Sequence, residues 1–131
     1  LTIGTPPENK KGNSTRTVGM SGIGANITDS GPGPGASSFI QFDLSDKEGG
    51  VDINKNRERP IFIGLAHELA HGLINMFGLN DNTEVAREIP MPGGQAQRVS
   101  ITEIATRFFE NLIRYEQGEA PRVIVPTQSD Y

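Results

Sequence analysis

Glycine and proline divide this chain more sharply than any other residue type. Up to Ser38 there are eight Gly and four Pro, ending in "DSGPGPGASS", a density of turn formers that excludes a continuous helix. Beyond it lie two helical windows, each with a starter and a glycine stop. "PIFIGLAHELAHGLINMF" begins at Pro60 and ends before Gly78, while "ITEIATRFFENLIRYEQ" follows Ser100 and ends before Gly118. Proline presets the first-turn φ, serine caps free N–H groups, and glycine takes the left-handed conformation that closes a helix. Short strands fit what remains. Ile23, Ala25 and Ile27 alternate with other residues, and so do Ile40, Phe42 and Leu44 in "FIQFDL". "GGVDIN" reads as a third, shorter strand, "NTEVAREI" as a short helix closed by Pro90, and "PMPGGQAQ" as a loop. A few strands followed by two long helices predict an α+β domain whose short sheet packs against both helices.

At 131 residues the chain suits one small domain with a modest core. Residues 1–38 are expected to be a Gly/Pro-rich part of that same domain, with a flexible lead-in over about the first 15 residues and then its first short strands. Twelve Lys plus Arg against 16 Asp plus Glu leave a net charge of -4, which gives no broad attraction to nucleic acid or an anionic membrane. There is no cysteine, so any metal must be held by nitrogen and oxygen ligands. No apolar run approaches the roughly 18 residues needed to span a bilayer, and the start lacks the apolar core of a secretory signal. It also lacks an initiator Met, so the expectation is a mature product or a piece of a longer protein. A single copy is the expected state.

The first helical window holds both histidines of the chain in "HELAH", the H-E-x-x-H spacing. At about 100° per residue His67 and His71 are only about 40° apart, one turn above the other, so both imidazoles can converge on one ion. Glu68 is offset by roughly 60° from His71, within reach of a water at that ion, where a general base must sit. Phe62, Leu65, Ala66, Leu69, Leu73, Met76 and Phe77 form a broad apolar face on the other side. Gly64 and Gly72 each cost roughly 1 kcal/mol relative to Ala inside a helix, which implies a spatial demand such as a neighbouring backbone or a substrate. The competing reading makes the histidines rim residues and Glu68 a solvated charge. It must then treat the spacing of the two histidines as coincidence.

A tetrahedral zinc with an open position needs a third protein ligand, and without cysteine or another histidine a carboxylate is the candidate. The second window carries Glu103, Arg107, Glu110 and Arg114 within about a 60° stripe, opposite Ile101, Ile104, Phe108, Leu112 and Tyr115. Ser100 and Glu103 also fit a capping box, and Glu103–Arg107 and Glu110–Arg114 are i,i+4 pairs that suit a solvated face. Asp81, Glu84 and Glu88 are further candidates, close in sequence to the first helix.

"RPIFIGLAHELAHGL", the later "TEIAT" and "ENLIRYEQGEAPR" together resemble the NleD-like family of bacterial effector metallopeptidases, over roughly Arg59 to Tyr131. That resemblance implies a small zincin-like domain in which residues 39–131 form a zinc (Zn²⁺) metallopeptidase core. It assigns His67, His71 and Glu103 as metal ligands and Glu68 as catalytic base. Glu110, Asn111 and Arg114 match the family's E-N-x-x-R segment, and Gly118 and Arg122 its G-x-x-x-R. The family usually has a glycine-containing loop between its two glutamates, where "ATRFFEN" reads as uninterrupted helix, so Glu110 stands beside Glu103 as an alternative ligand or outer partner. Arg114, Arg122, Tyr115 and Tyr131 are the donor types available to an oxyanion. The implied activity is that of a metalloendopeptidase, a secreted effector or toxin domain that cleaves a target-cell protein by attack of metal-activated water. Such a domain would have a secretion carrier or an immunity protein as partner, and "FIQFDL" could serve as an edge strand for its substrate. The alternatives are an H-E-x-x-H amidase acting on a small substrate, and a non-catalytic zinc-binding interaction domain.

Overall fold

A computed structural model describes residues 1–7, 10–18 and 24–131. In chain order the elements are β1 (Thr2–Gly4), β2 (Ser14–Thr17), β3 (Ser38–Gln41), α1 (Ile61–Met76), β4 (Glu84–Glu88), β5 (Gln97–Ser100) and α2 (Ile101–Glu116), followed by a 3-10 turn at Gln128–Asp130. This is a small α+β domain with two helices packed against short sheets. The three-stranded sheet has the order β1-β3-β2, with β1 parallel and β2 antiparallel to β3, and β4 and β5 form a separate antiparallel pair. No helix among the described residues is long and apolar enough to cross a membrane.

Both helices obey their punctuation. α1 starts directly after Pro60 and gives way to Gly78 at φ +66°; α2 is capped by Ser100, whose Oγ accepts from Glu103 N, and gives way to Gly118 at φ +73°. Ser100 is also the last residue of β5, so the hairpin runs into α2 with no intervening loop. Gly64 is required by a close approach. A Cβ there would lie 2.3 Å from Asn13 Nδ2 and 2.6 Å from Arg59 Nη2, so the spatial demand read from the sequence comes from neighbouring side chains.

Several expectations are corrected. The flexible lead-in contains β1 and β2, because pairing with β3 satisfies backbone groups that turn-rich sequence leaves without local partners. "FIQFDL" contributes only its first three residues to a strand, and that strand is the centre of its sheet, so it has no free edge. "NTEVAREI" is strand β4, since cross-strand pairing with β5 outweighs local helix propensity. "GGVDIN" makes only an isolated bridge, Asp52 with Arg122, before turning. Of the first alternation, Ile23 lies outside the described residues, while Ala25 and Ile27 flank the isolated bridge of Asn26 with Asn80.

The largest correction concerns which faces are inside. The apolar core includes Ile40, Val51, Ile63 and Val99, whereas Phe62, Leu73 and Met76 of α1, and Phe77 that caps it, are exposed. In α2 the charged stripe, which also suited a solvated face, is the buried one, containing Arg107, Glu110 and Arg114, and Ile101, Phe108, Leu112 and Tyr115 face outward. Buried charge is tolerated only when it is paired and hydrogen-bonded. The buried stripe meets that condition: Arg107 pairs with Glu88 and Glu103, Arg114 with Glu110, and Glu110 also with His67 of α1.

Candidate metal centre

α1 and α2 pack against each other, and their contact is built around the two histidines. One helical turn separates His67 from His71, whose ring centroids are 5.0 Å apart and nearly edge-on at 68°. Glu103, in the first turn of α2, reaches across to both. Its Oε1 is 3.2 Å from His67 Nε2 and its Oε2 is 2.9 Å from His71 Nε2. The capping bond uses the backbone N–H of Glu103, which leaves the carboxylate free for this contact.

Glu103 and His67 are held from behind. Arg107 Nε donates to Glu103 Oε1 at 3.2 Å, and its Nη atoms are fixed by both oxygens of Glu88 and by the Ile124 carbonyl. His67 turns its other nitrogen, Nδ1, to Glu110 Oε1 at 2.8 Å. Glu110 also accepts from Arg114 Nε at 2.7 Å and Arg122 Nη1 at 3.0 Å. Asn111 clamps Arg122 by accepting from its N–H and donating to its carbonyl. Glu103 and Glu110 therefore have different positions: one faces the convergent Nε2 atoms, the other the outward Nδ1 of a single imidazole.

The electrostatics follow from these contacts. Burial disfavours the imidazolium of His67, yet the two carboxylates that flank it raise its pKa to about 9. Glu103 is opposed by burial in the same way, and its contacts with His67 and His71 hold it far below the usual carboxylate range. For Glu110, burial is outweighed by His67 and the two arginines, which bring it down to about 2. In the metal-free protein these carboxylates are thus kept ionised by the imidazoles and arginines against them.

Two cavities flank the cluster. One, of about 570 Å³, is lined by Glu68 and His71 together with Asn13, Thr15, Asn26, Asn75 and other amide or hydroxyl side chains. The other, of about 170 Å³, is lined by Glu68, His67, Glu103, Glu110, Asn13 and Arg122. Glu68 thus borders both, and the Thr15 hydroxyl lies 2.6 Å from its Oε2.

Among the described residues, His67, His71 and Glu103 are the acidic or imidazole group whose ligand atoms all lie within 4.8 Å of one another. Arg114 is only 2% exposed and is committed to Glu110 and the Ala120 carbonyl, so it borders neither cavity. Tyr131 donates to Ile89 O and borders a different cavity, with Glu88 and Arg57; Tyr115 lies on the outer surface. Of the four donors expected from the sequence, Arg122 alone borders one of these two cavities. Asp81 accepts from Thr83 N, Glu84 pairs with Arg87 and Arg98, and Glu88 supports Arg107, so none of these three joins the ligand group.

Two neighbours of Glu68 were not anticipated. Thr15 belongs to β2, and Asn13, just before it, offers a buried Nδ2 with no hydrogen-bond partner. Both sit in the polar run "KKGNSTRT", which has no spacing signal linking it to Glu68, 53 residues beyond Thr15. Only strand pairing brings them there. In comparisons with protein-family models, curated proteins and solved structures, none matches the chain.

Proposed function

We propose that the chain is a zinc-dependent metalloendopeptidase, an effector or toxin domain that acts on a protein of a target cell. The observation that carries this reading is the convergence of His67 Nε2, His71 Nε2 and a Glu103 carboxylate, with Glu68 on the shared wall of two cavities. The donor set fits zinc. Tetrahedral coordination at about 2.0–2.1 Å separates ligand atoms by roughly 3.3 Å, and the nitrogen–oxygen distances here are 3.2 and 2.9 Å. A zinc held by two imidazoles and one carboxylate would have room for a water as well, which a catalytic site needs and a closed structural site lacks.

When bound, zinc supplies Lewis acidity, which makes a water more acidic and polarises a carbonyl. The chain's own residues do the rest. Glu110 accepts the Nδ1 proton of a neutral His67, which leaves its Nε2 lone pair free to bind. Glu68 takes the proton of the attacking water and delivers it to the leaving amine, with one carboxylate oxygen fixed by Thr15. Asn13 Nδ2 and Arg122, both on the cavity wall, are the donors available to a developing oxyanion. β2 replaces "FIQFDL" as the edge for an extended substrate, because it ends its sheet and lines the larger cavity. The resemblance to NleD-like effector metallopeptidases supports delivery into a target cell.

The test is to load the chain with zinc, incubate it with a host-cell lysate, and map new peptide ends. Wild type should create a reproducible set that is abolished by chelation and by Glu68→Gln, while Glu68→Gln retains the metal. Undiminished cleavage by that variant would remove Glu68 from the mechanism. A small amide hydrolysed in the absence of any protein cleavage would favour the amidase alternative.

A further inference from the structure

The three-stranded sheet has a second face, which the metal reading leaves unused. Strand alternation turns Thr15 and Thr17 of β2 towards the cavity beside Glu68 and sends Arg16 the other way, opposite Phe39 of β3. On that second side lies a groove of about 690 Å³, lined by Lys10, Lys11, Arg16, Phe39 and Gln41 among others. Ser14, at the rim, borders both cavities.

Charge sets this groove apart. The chain carries a net charge of -4, yet Lys10, Lys11 and Arg16 all line this one groove and no acid among the described residues does. None of the three is in an ion pair among the described residues; Arg16 lies over the Phe39 ring, 4.8 Å from its centroid, which orders the guanidinium without neutralising it. Asp43, the carboxylate that feels the charge of Lys11, accepts from Gly12 N and from Ser45 and does not line the groove. Glu8 lies outside the described residues, and its single charge would still leave the cations in surplus.

We infer that the groove and the adjoining edge of β2 take an extended peptide segment in which acidic residues alternate with uncharged ones. β2 ends its sheet, and no strand among the described residues pairs with its outer edge, so a peptide can add there by backbone hydrogen bonds that a nucleic acid or a lipid headgroup has no means to copy. A strand added to that edge keeps the period of two. Every second side chain then falls on the side of Lys10, Lys11 and Arg16, and those between fall on the side of Glu68. The inner side has amides and hydroxyls but no Lys or Arg, and Glu68 repels an acid there, which confines the acidic residues to alternate positions. Three cations on a chain of net charge -4 are also few for a polyanion such as nucleic acid, whose binding grows with each phosphate neutralised. That this peptide is the substrate rests on the metalloendopeptidase reading; that it docks does not.

Fluorescence anisotropy with the whole chain, before and after zinc loading, and a labelled octapeptide alternating Glu and Ser tests the docking, and mass spectrometry of the same peptide reads cleavage. Saturable binding is expected, weakened at least about fivefold when salt is raised from about 0.05 to about 0.5 M, and lost when Lys replaces Glu in the peptide. Lys11→Glu and Arg16→Glu should each weaken it about fivefold or more, whereas Lys55→Glu, the same change of charge outside the groove, should weaken it less than about twofold. Arg16→Gln serves, with the same direction expected, if charge reversal beside Phe39 unfolds the sheet. No binding, binding indifferent to Lys11 and Arg16, equal binding of a peptide with its Glu gathered in one block, or tighter binding of an oligothymidylate of equal charge would each overturn the proposal. Binding without cleavage by the zinc-loaded chain would support the docking and count against the metalloendopeptidase reading, so the two fail separately.

Discussion

Glu103 and Glu110 face the same imidazole from opposite sides, and replacing each with alanine should separate metal binding from folding. Glu103→Ala keeps the helix cap, because Ser100 accepts from the backbone N–H of residue 103. Arg107 also keeps Glu88 and the Ile124 carbonyl. The loss is one carboxylate that is 25% exposed at its side chain, about 1.5–3 kcal/mol for hydrogen bonds to charged groups. Zinc affinity is another matter: removing an outer partner of a ligand already costs about 10–100-fold, so removing a ligand itself should cost more than about 100-fold. Glu110→Ala reverses the balance. It strips the partner from Arg114, itself 2% exposed, and a buried charge left unpaired costs about 3–5 kcal/mol, a large share of the roughly 5–15 kcal/mol that holds a domain together. Its effect on zinc, through the orientation of His67, should stay within about 10–100-fold. Competition with a chromophoric chelator reads the first quantity and urea unfolding of the metal-free protein reads the second. The assignment is refuted if Glu103→Ala binds zinc within about threefold of wild type, or if Glu110→Ala loses more affinity than Glu103→Ala while unfolding normally.

Two further outcomes follow from the same contacts. Thr15→Val should lower kcat by about tenfold or more, by releasing the Glu68 carboxylate from a charge-assisted hydrogen bond, and leave zinc affinity unchanged, because β2 pairs through its backbone; turnover of a mapped substrate and chelator competition check both parts. The pH dependence has a definite sign. His67 is raised from 6.5 to about 9, so its protonated form stabilises the metal-free fold fully below about pH 6.5, and that contribution disappears as the pH rises through about 9. Zinc must displace the same proton, so its apparent affinity should rise about tenfold per pH unit between about 7 and 9, while the Tm of the metal-free protein falls over that window. A flat affinity profile would show that His67 is not a ligand.

What could be read in the sequence was set by local chemistry. Pro60, Gly78, Ser100 and Gly118 mark two helices because each acts on the backbone within one turn, and the three-residue gap inside "HELAH" fixes the relation of His67 to His71 before any tertiary contact forms. Strand β4 was not legible, because its partner Gln97–Ser100 lies across a loop and no local property of "EVARE" names it. The orientation of α2 was hidden for a different reason. Periodicity separates Glu103, Arg107, Glu110 and Arg114 from Ile101, Phe108 and Leu112, yet a period has no sign, and hydrophobicity alone would turn the apolar side inward. The opposite arrangement holds because His67 and His71 offer Glu103 and Glu110 partners inside the domain, and Glu88, Arg114 and Arg122 complete the set. With these charged side chains paired in the interior, the outer side of α2 is left apolar, and the choice that assembles the candidate metal centre is the one that exposes Phe108 and Leu112. The site and the outer face are therefore two consequences of one packing decision, and a substitution that turned α2 about its axis would be expected to abolish both.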